Sequence, residues 1–317
     1  MTAFRQQKGD VVSIFKEYGS RNPLIMSAAG LAKTFELEQI ERLAAAADKV
    51  LVGSITPQKR DPNEGTCENF DIPLYSLNAW GMPNPGWENL PRYTHMNEEV
   101  AKRFAAVRDK VIVSLAAFSP LEYSAIFYRL RHWSGQVELN FGCPNVRDDG
   151  TQHKIVSFDP ATMSTILYLI EAAKREEGPN HATGVKLSPY SDPGLLKEIA
   201  AVIAESGTVD YVAVTNTFPN GLGFIEGKPA IMTRQAGYYG GIGGEAMKPI
   251  SLSNAAQFRE ALPPDIDVIR VGGVSSGDDI EQSYDVGCTG VQVATAIARE
   301  GIGVLTKIRQ EYADIVG

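Results

Sequence analysis

Cysteine is scarce in this chain: Cys67, Cys143 and Cys288 are the only three among 317 residues. An odd number spread so far apart suits neither a disulfide framework nor a closed zinc site. Clustered cysteines of the iron-sulfur kind are missing as well. Basic residues are also in deficit, with 30 Lys and Arg against 38 Asp and Glu, a net charge of -8. That balance repels a phosphate backbone, so no nucleic-acid partner is expected. Nowhere do about 18 apolar residues run together. The first residues, Met1 to Asp10, are polar and carry no apolar signal core. Neither a membrane span nor secretion is expected, and a reducing, cytoplasmic setting suits the thiols.

What is present is a repeated alternation. The chain is 44% hydrophobic, enough for a large core, and one domain over residues 1–317 is expected. Short apolar runs suited to buried parallel strands recur at Pro23 to Ala28, Val50 to Ser54, Val111 to Leu115, Gln136 to Leu139, Gly184 to Leu187, Tyr211 to Val214, Val268 to Val271 and Gly290 to Val293. Each is followed by a stretch with helical spacing. Ser119-Pro120 with Glu122, Asp159-Pro160 and Asp192-Pro193 are start signals, and Gly207 stops the helix after Asp192. Eight such units predict an α/β fold, the closed (β/α)8 TIM barrel. The alternative, an open doubly wound sheet, lacks its glycine fingerprint. Two connections, Ile55 to Asn97 and the glycine-rich Phe218 to Pro249, are far longer than usual and leave the strand ends where barrels build their sites. The site is expected beneath these extended loops.

Three features carry chemistry. Strand seven ends in Gly272-Gly273 and strand eight runs into Thr295, the barrel positions where backbone N-H groups grip phosphate; the plain alternative is a simple chain turn. Cys143 follows strand four in Asn140-Phe141-Gly142-Cys143-Pro144-Asn145, a loop thiol among amides, which suits a base or nucleophile. Lys186 on strand five projects into the barrel mouth, where an ammonium is costly without an anionic or electron-rich neighbour.

Ser27-Ala28-Ala29-Gly30, Asn78-Ala79-Trp80-Gly81, Leu139-Asn140 with Cys143-Pro144-Asn145, Val185-Lys186-Leu187-Ser188-Pro189, Thr215-Asn216-Thr217, Gly240-Gly241-Ile242-Gly243-Gly244 with Lys248-Pro249, and Val271-Gly272-Gly273 appear in this order along nearly the whole chain. Together they resemble the motifs of the dihydroorotate dehydrogenase family, and the cysteine at position 143 resembles its soluble class 1. The resemblance implies FMN as cofactor and a small pyrimidine as substrate, oxidised from (S)-dihydroorotate to orotate in pyrimidine biosynthesis. Cys143 would take the C5 proton while hydride leaves C6 for flavin N5. Asn78, Gly81, Met82, Asn140, Asn145, Asn216 and Thr217 would surround the substrate. Lys186 would stand near flavin N1 and O2, with Ala28, Ala29, Gly30, Ser54, Asn140 and Thr215 around the ring. Gly244, Gly272, Gly273, Ala294 and Thr295 would grip the phosphate, although the family usually has glycine at position 294.

A second departure concerns charge. Soluble members carry a lysine after strand two, where this chain has Gly53. Lys33 resembles instead the lysine of the membrane-associated class, and is expected to reach the same space and meet the substrate carboxylate. The resemblance further implies a homodimer and fumarate as acceptor, and it leaves an electron-transfer subunit open. No amphipathic segment precedes strand one, which argues against quinone. Two rival readings remain: a dihydropyrimidine dehydrogenase-like flavoenzyme, and a tRNA dihydrouridine synthase-like enzyme, which shares Asn-x-Gly-Cys-Pro but needs a surface suited to RNA. A Schiff-base aldolase using Lys186 is a third, and it would bind no flavin.

Overall fold

Successive side chains on a strand point to opposite faces, so a strand buried on both sides can read as a continuous apolar run. In the computed structural model, which describes residues 13–130, 133–143, 147–148, 151–152, 154–177 and 182–317, the eight predicted runs form strands. They are β1 (Leu24–Ala32), β2 (Lys49–Ile55), β3 (Val111–Leu115), β4 (Gln136–Asn140), β5 (Ala182–Leu187), β6 (Tyr211–Val214), β7 (Asp267–Val271) and β8 (Gly290–Val293). All pair in parallel, each with its neighbour in sequence, and β8 closes on β1. The open-sheet alternative is thereby excluded. Helices α1 (Leu37–Ala44), α2 (Glu98–Val107), α3 (Pro120–Leu130), α4 (Pro160–Glu177), α5 (Pro193–Glu205), α6 (Lys248–Ala261), α7 (Gly277–Asp285) and α8 (Thr295–Glu300) follow the strands in turn, with α9 (Val304–Val316) last.

Strand parity sorts the core into two parts. Val137 and Leu139, Val185 and Leu187, and Val291 and Val293 face outward into the large core under the helices. Leu24, Met26, Leu51, Ile112, Tyr211 and Ile269 face inward, and Phe15 joins them. Phe15 meets the Tyr211 ring edge-on at 5.5 Å. Gly184 makes room for that ring: a Cβ there would lie 2.0 Å from it. The helix signals act as expected. Asp192 Oδ1 accepts from Gly194 N at 2.7 Å, and Gly207 ends the segment at φ +62°.

The two long connections are not structureless. Phe218–Gly221, Gly240–Gly243, Ser76–Asn78 and Glu68–Asn69 form one antiparallel sheet, so the two excursions pair with each other. Gly65–Thr66 also pairs with Met232–Thr233. Leu77, Ala79, Ala230, Ile231 and Ala236 give this sheet its own small buried core. Arg299 of α8 ties the first excursion down by donating to the carbonyls of Phe70, Ile72, Pro73 and Tyr75.

Candidate active site

Several inward positions at the C-terminal ends of the strands are polar, Asn140, Lys186 and Gln292 among them. Lys186 stands level with Asn140 across the β4-β5 ladder, and Gln292 level with Val271 across β7-β8. Strand register thus sets these side chains around the barrel mouth. They line one large cavity with Ala28, Ala29, Gly30, Lys33, Ser54, Asn78, Gly81, Met82, Cys143, Thr215, Asn216, Thr217, Gly244, Gly272, Gly273, Ala294 and Thr295. Every site residue expected from the sequence lies there except Asn145, which falls outside the described residues.

Hydrogen bonds fix one wall. Asn140 Nδ2 donates to Ser54 Oγ at 2.9 Å, and Ser54 shares a 2.8 Å bond with Ser114. Asn216 Nδ2 donates to Asn140 Oδ1 at 3.2 Å, and Thr217 N donates to Asn216 Oδ1 at 2.8 Å. Three positions expected to touch substrate are thereby tied to one another. Cys143 is half-buried beside them. Its base, Gly142, accepts from Ser188 Oγ at 3.3 Å, and a Cβ at Gly142 would press within 2.8 Å of the Leu187-Ser188 backbone. That close packing of backbone on backbone explains a glycine directly before the thiol.

Lys186 is only 5% exposed and lies 3.3 Å from Gln292 Oε1. Burial pulls its pKa down, while the charges of Glu138 and Cys143 favour the ammonium. No ion pair to Lys186 within 4.0 Å occurs among the described residues. Its polar partner is the Gln292 amide instead.

At the mouth, Lys33 Nζ lies 3.9 Å from the Trp80 ring centroid, and Trp80 Nε1 donates to Glu68. Burial lowers the Lys33 pKa, opposed by Glu68 and Cys67. Cys67 feels the charges of its sequence neighbour Glu68 and of Lys33, and burial pushes its thiol up. Gly53 also lines the cavity, at φ +115°, where a Cβ would sit 2.7 Å from Ser114 O and 2.8 Å from Ile55 N. The position that holds lysine in soluble members is here shaped for glycine.

Gly244, Gly272 and Gly273 have φ of +80°, +118° and +80°, left-handed conformations that favour glycine. Ala294 has φ -126°, outside the left-handed region that favours glycine. Thr215 Oγ1 is buried with no hydrogen-bond partner among the described residues. A glycine cradle, a buried cation and an orphaned hydroxyl at the cavity wall fit a phosphorylated flavin.

Sequence reasoning assigned no role to Trp80, Ser114, Glu138, Gln292 or Arg299. Glu138 and Gln292 did leave a signal, as polar residues inside otherwise apolar strand runs.

Fold and site together define a β/α-barrel oxidoreductase with its working face at the C-terminal ends of the strands. A model of the dihydroorotate dehydrogenase family matches residues 13–316, and the chain belongs to that family. It is 30% identical over 298–299 residues to dihydroorotate dehydrogenase A (fumarate) of Lactococcus lactis, with about 93% of this chain and 90% of the relative covered. It is 29% identical to dihydroorotate dehydrogenase (fumarate) of Lachancea kluyveri, over 95% of this chain and 92% of that one. The solved structure of an Eimeria tenella DHODH in complex with ferulenol superposes with a TM-score of 0.74 at 17% identity, covering 93% of this chain and 82% of the other. A ligand-free form of the Eimeria enzyme gives 0.71. At that identity the likeness is one of fold. No helix among the described residues is long and apolar enough to cross a membrane.

Proposed function

We propose that this chain is a single catalytic domain that oxidises dihydroorotate to orotate with FMN as cofactor and fumarate as acceptor. The observation that carries the reading is the gathering of Cys143, Asn78, Asn140, Asn216 and Lys33 around one cavity floored by Lys186. The names of the relatives support the substrate and the acceptor. FMN, when bound, would supply the two-electron redox chemistry that links substrate to fumarate.

The chain's own side chains do the rest. The Cys143 thiolate removes the C5 proton, helped by the nearby Lys186 charge. Asn78, Asn140 and Asn216, with Asn145, orient the pyrimidine through amides that both donate and accept. Gly81, Met82 and Thr217 close around it, and Lys33 holds the carboxylate. Ala28, Ala29, Gly30, Ser54 and Thr215 pack around the cofactor ring, while Gly244, Gly272, Gly273, Ala294 and Thr295 hold its phosphate.

The protein works in the cytoplasm as a homodimer. Phe224, Met232, Tyr238 and Tyr239 on the second excursion are large and exposed, an apolar face suited to a second copy.

Adding dihydroorotate to the purified yellow protein without oxygen bleaches the flavin, and fumarate restores the colour faster than a quinone does. The Cys143→Ala enzyme keeps its flavin and loses bleaching by about a hundredfold or more. Bleaching by dihydrouracil alone points to a dihydropyrimidine dehydrogenase-like enzyme, and a colourless protein that takes up no FMN rejects the reading.

A further inference from the structure

Directly beneath the cavity lies a polar chain that a barrel interior has no packing reason to contain. Glu138 on β4 is fully buried, with Leu139 and Val137 on either side facing the outer core. Its Oε2 accepts from Gln292 Nε2 at 2.6 Å and from Tyr211 OH at 3.2 Å. Gln292 Oε1 in turn lies 3.3 Å from Lys186 Nζ. The amide therefore has one orientation: its acceptor faces an ammonium and its donor a carboxylate, and a flip would set like against like. Lys186 and Gln292 line the cavity. Glu138 sits below them, out of reach of any ligand.

A buried ammonium and a buried carboxylate are each costly alone. Burial pushes Glu138 up and Lys186 down, toward neutral forms, and each charge opposes the shift of the other. The bonding pattern favours the ionised pair, because both contacts to Glu138 are donated to it and Lys186 has an acceptor waiting. A proton on Glu138 Oε1 would meet no acceptor among the described residues.

We propose that Glu138 is a positioning residue, which acts through Gln292 to hold Lys186 as an oriented ammonium at the floor of the cavity. This rests on FMN occupying the cavity. The fixed cation then stabilises the cofactor most when it carries the extra negative charge of its reduced form. Because Glu138 touches no ligand, its effect reaches the cofactor only through Gln292 and Lys186.

The test is binding, not turnover. Apoprotein is titrated with oxidised FMN and, without oxygen, with dithionite-reduced FMN. Uptake of oxidised FMN by the unsubstituted protein is read first: without it the cofactor reading falls, and this proposal with it. Glu138→Gln is expected to weaken reduced FMN about tenfold, the size of one hydrogen bond to a charged group, while oxidised FMN changes less than about twofold. In a Lys186→Gln background the same substitution is expected to leave the ratio of the two affinities unchanged. Should Glu138→Gln not fold, Gln292→Met cuts the bridge and is expected to reproduce the loss. An equal weakening of both forms, or a shift of the ratio that persists without Lys186, overturns the proposal.

Discussion

At the scale of single residues, charge at the site depends on which backbone positions tolerate a side chain. Gly53 lies where the family's soluble members carry lysine, yet its φ of +115° and the approach of Ser114 O at 2.7 Å leave no room for a Cβ. Gly53→Lys is therefore expected to destabilise the fold by about 2–4 kcal/mol without adding a useful cation, as thermal unfolding would register. Lys33 lines the same cavity from the turn after β1, held over the Trp80 ring. With Lys33→Ala we expect dihydroorotate KM to rise at least about tenfold, one charge-assisted contact, with flavin content unchanged. Steady-state kinetics showing wild-type KM and turnover would remove Lys33 from the carboxylate site. The sequence made the exchange of lysines visible, but not its cause. A glycine conformation and a neighbour from β3 cannot be read from the run Val52-Gly53-Ser54.

At the scale of elements, the two long excursions become a roof because they pair with one another. Asn78 on the first faces Gly241 on the second, and its Nδ2 lies 3.4 Å from Gly241 O. A Cβ on Gly240 would press within 2.7 Å of Asn78 O, so glycine there serves the close approach of the two strands. Their lengths and exits from the strand ends pointed to function. Their pairing left no mark, since it joins segments more than 160 residues apart. Arg299 fastens the first excursion to α8 through four carbonyls. Arg299→Ala should leave the barrel strands intact while amide exchange over residues 66–79 accelerates about tenfold, for a local loss near 1–2 kcal/mol. Hydrogen-exchange mass spectrometry resolves that difference, and uniform acceleration across the barrel would contradict the clamp.

At the scale of the whole molecule, the barrel couples its stability to pH through groups that it buries away from the site. Cys288 lies in the outer core, 3% exposed, and burial pushes its thiol from 9.0 up to about 12. A thiol whose folded pKa lies above its unfolded value contributes fully below about pH 9, and that contribution drains as pH climbs toward 12. Calorimetry from pH 8 to about pH 10.5 is expected to show the melting temperature falling, and falling less steeply in Cys288→Ala; parallel curves would assign the loss to other groups. The sequence by itself determined the fold class, because eight apolar runs and their helical partners are patterns among neighbours along the chain. It also determined most cavity residues, through motifs at strand ends. Even there the limits were local: β1 runs on to Ala32 through an irregular register that apolar periodicity does not record. Only the tertiary structure decided that the two excursions form one sheet, that Lys33 lies over Trp80, and that Glu138 reaches Lys186 through Gln292. Those outcomes depend on the register of strands around a closed barrel, which brings residues 106 and 154 positions apart within hydrogen-bond reach.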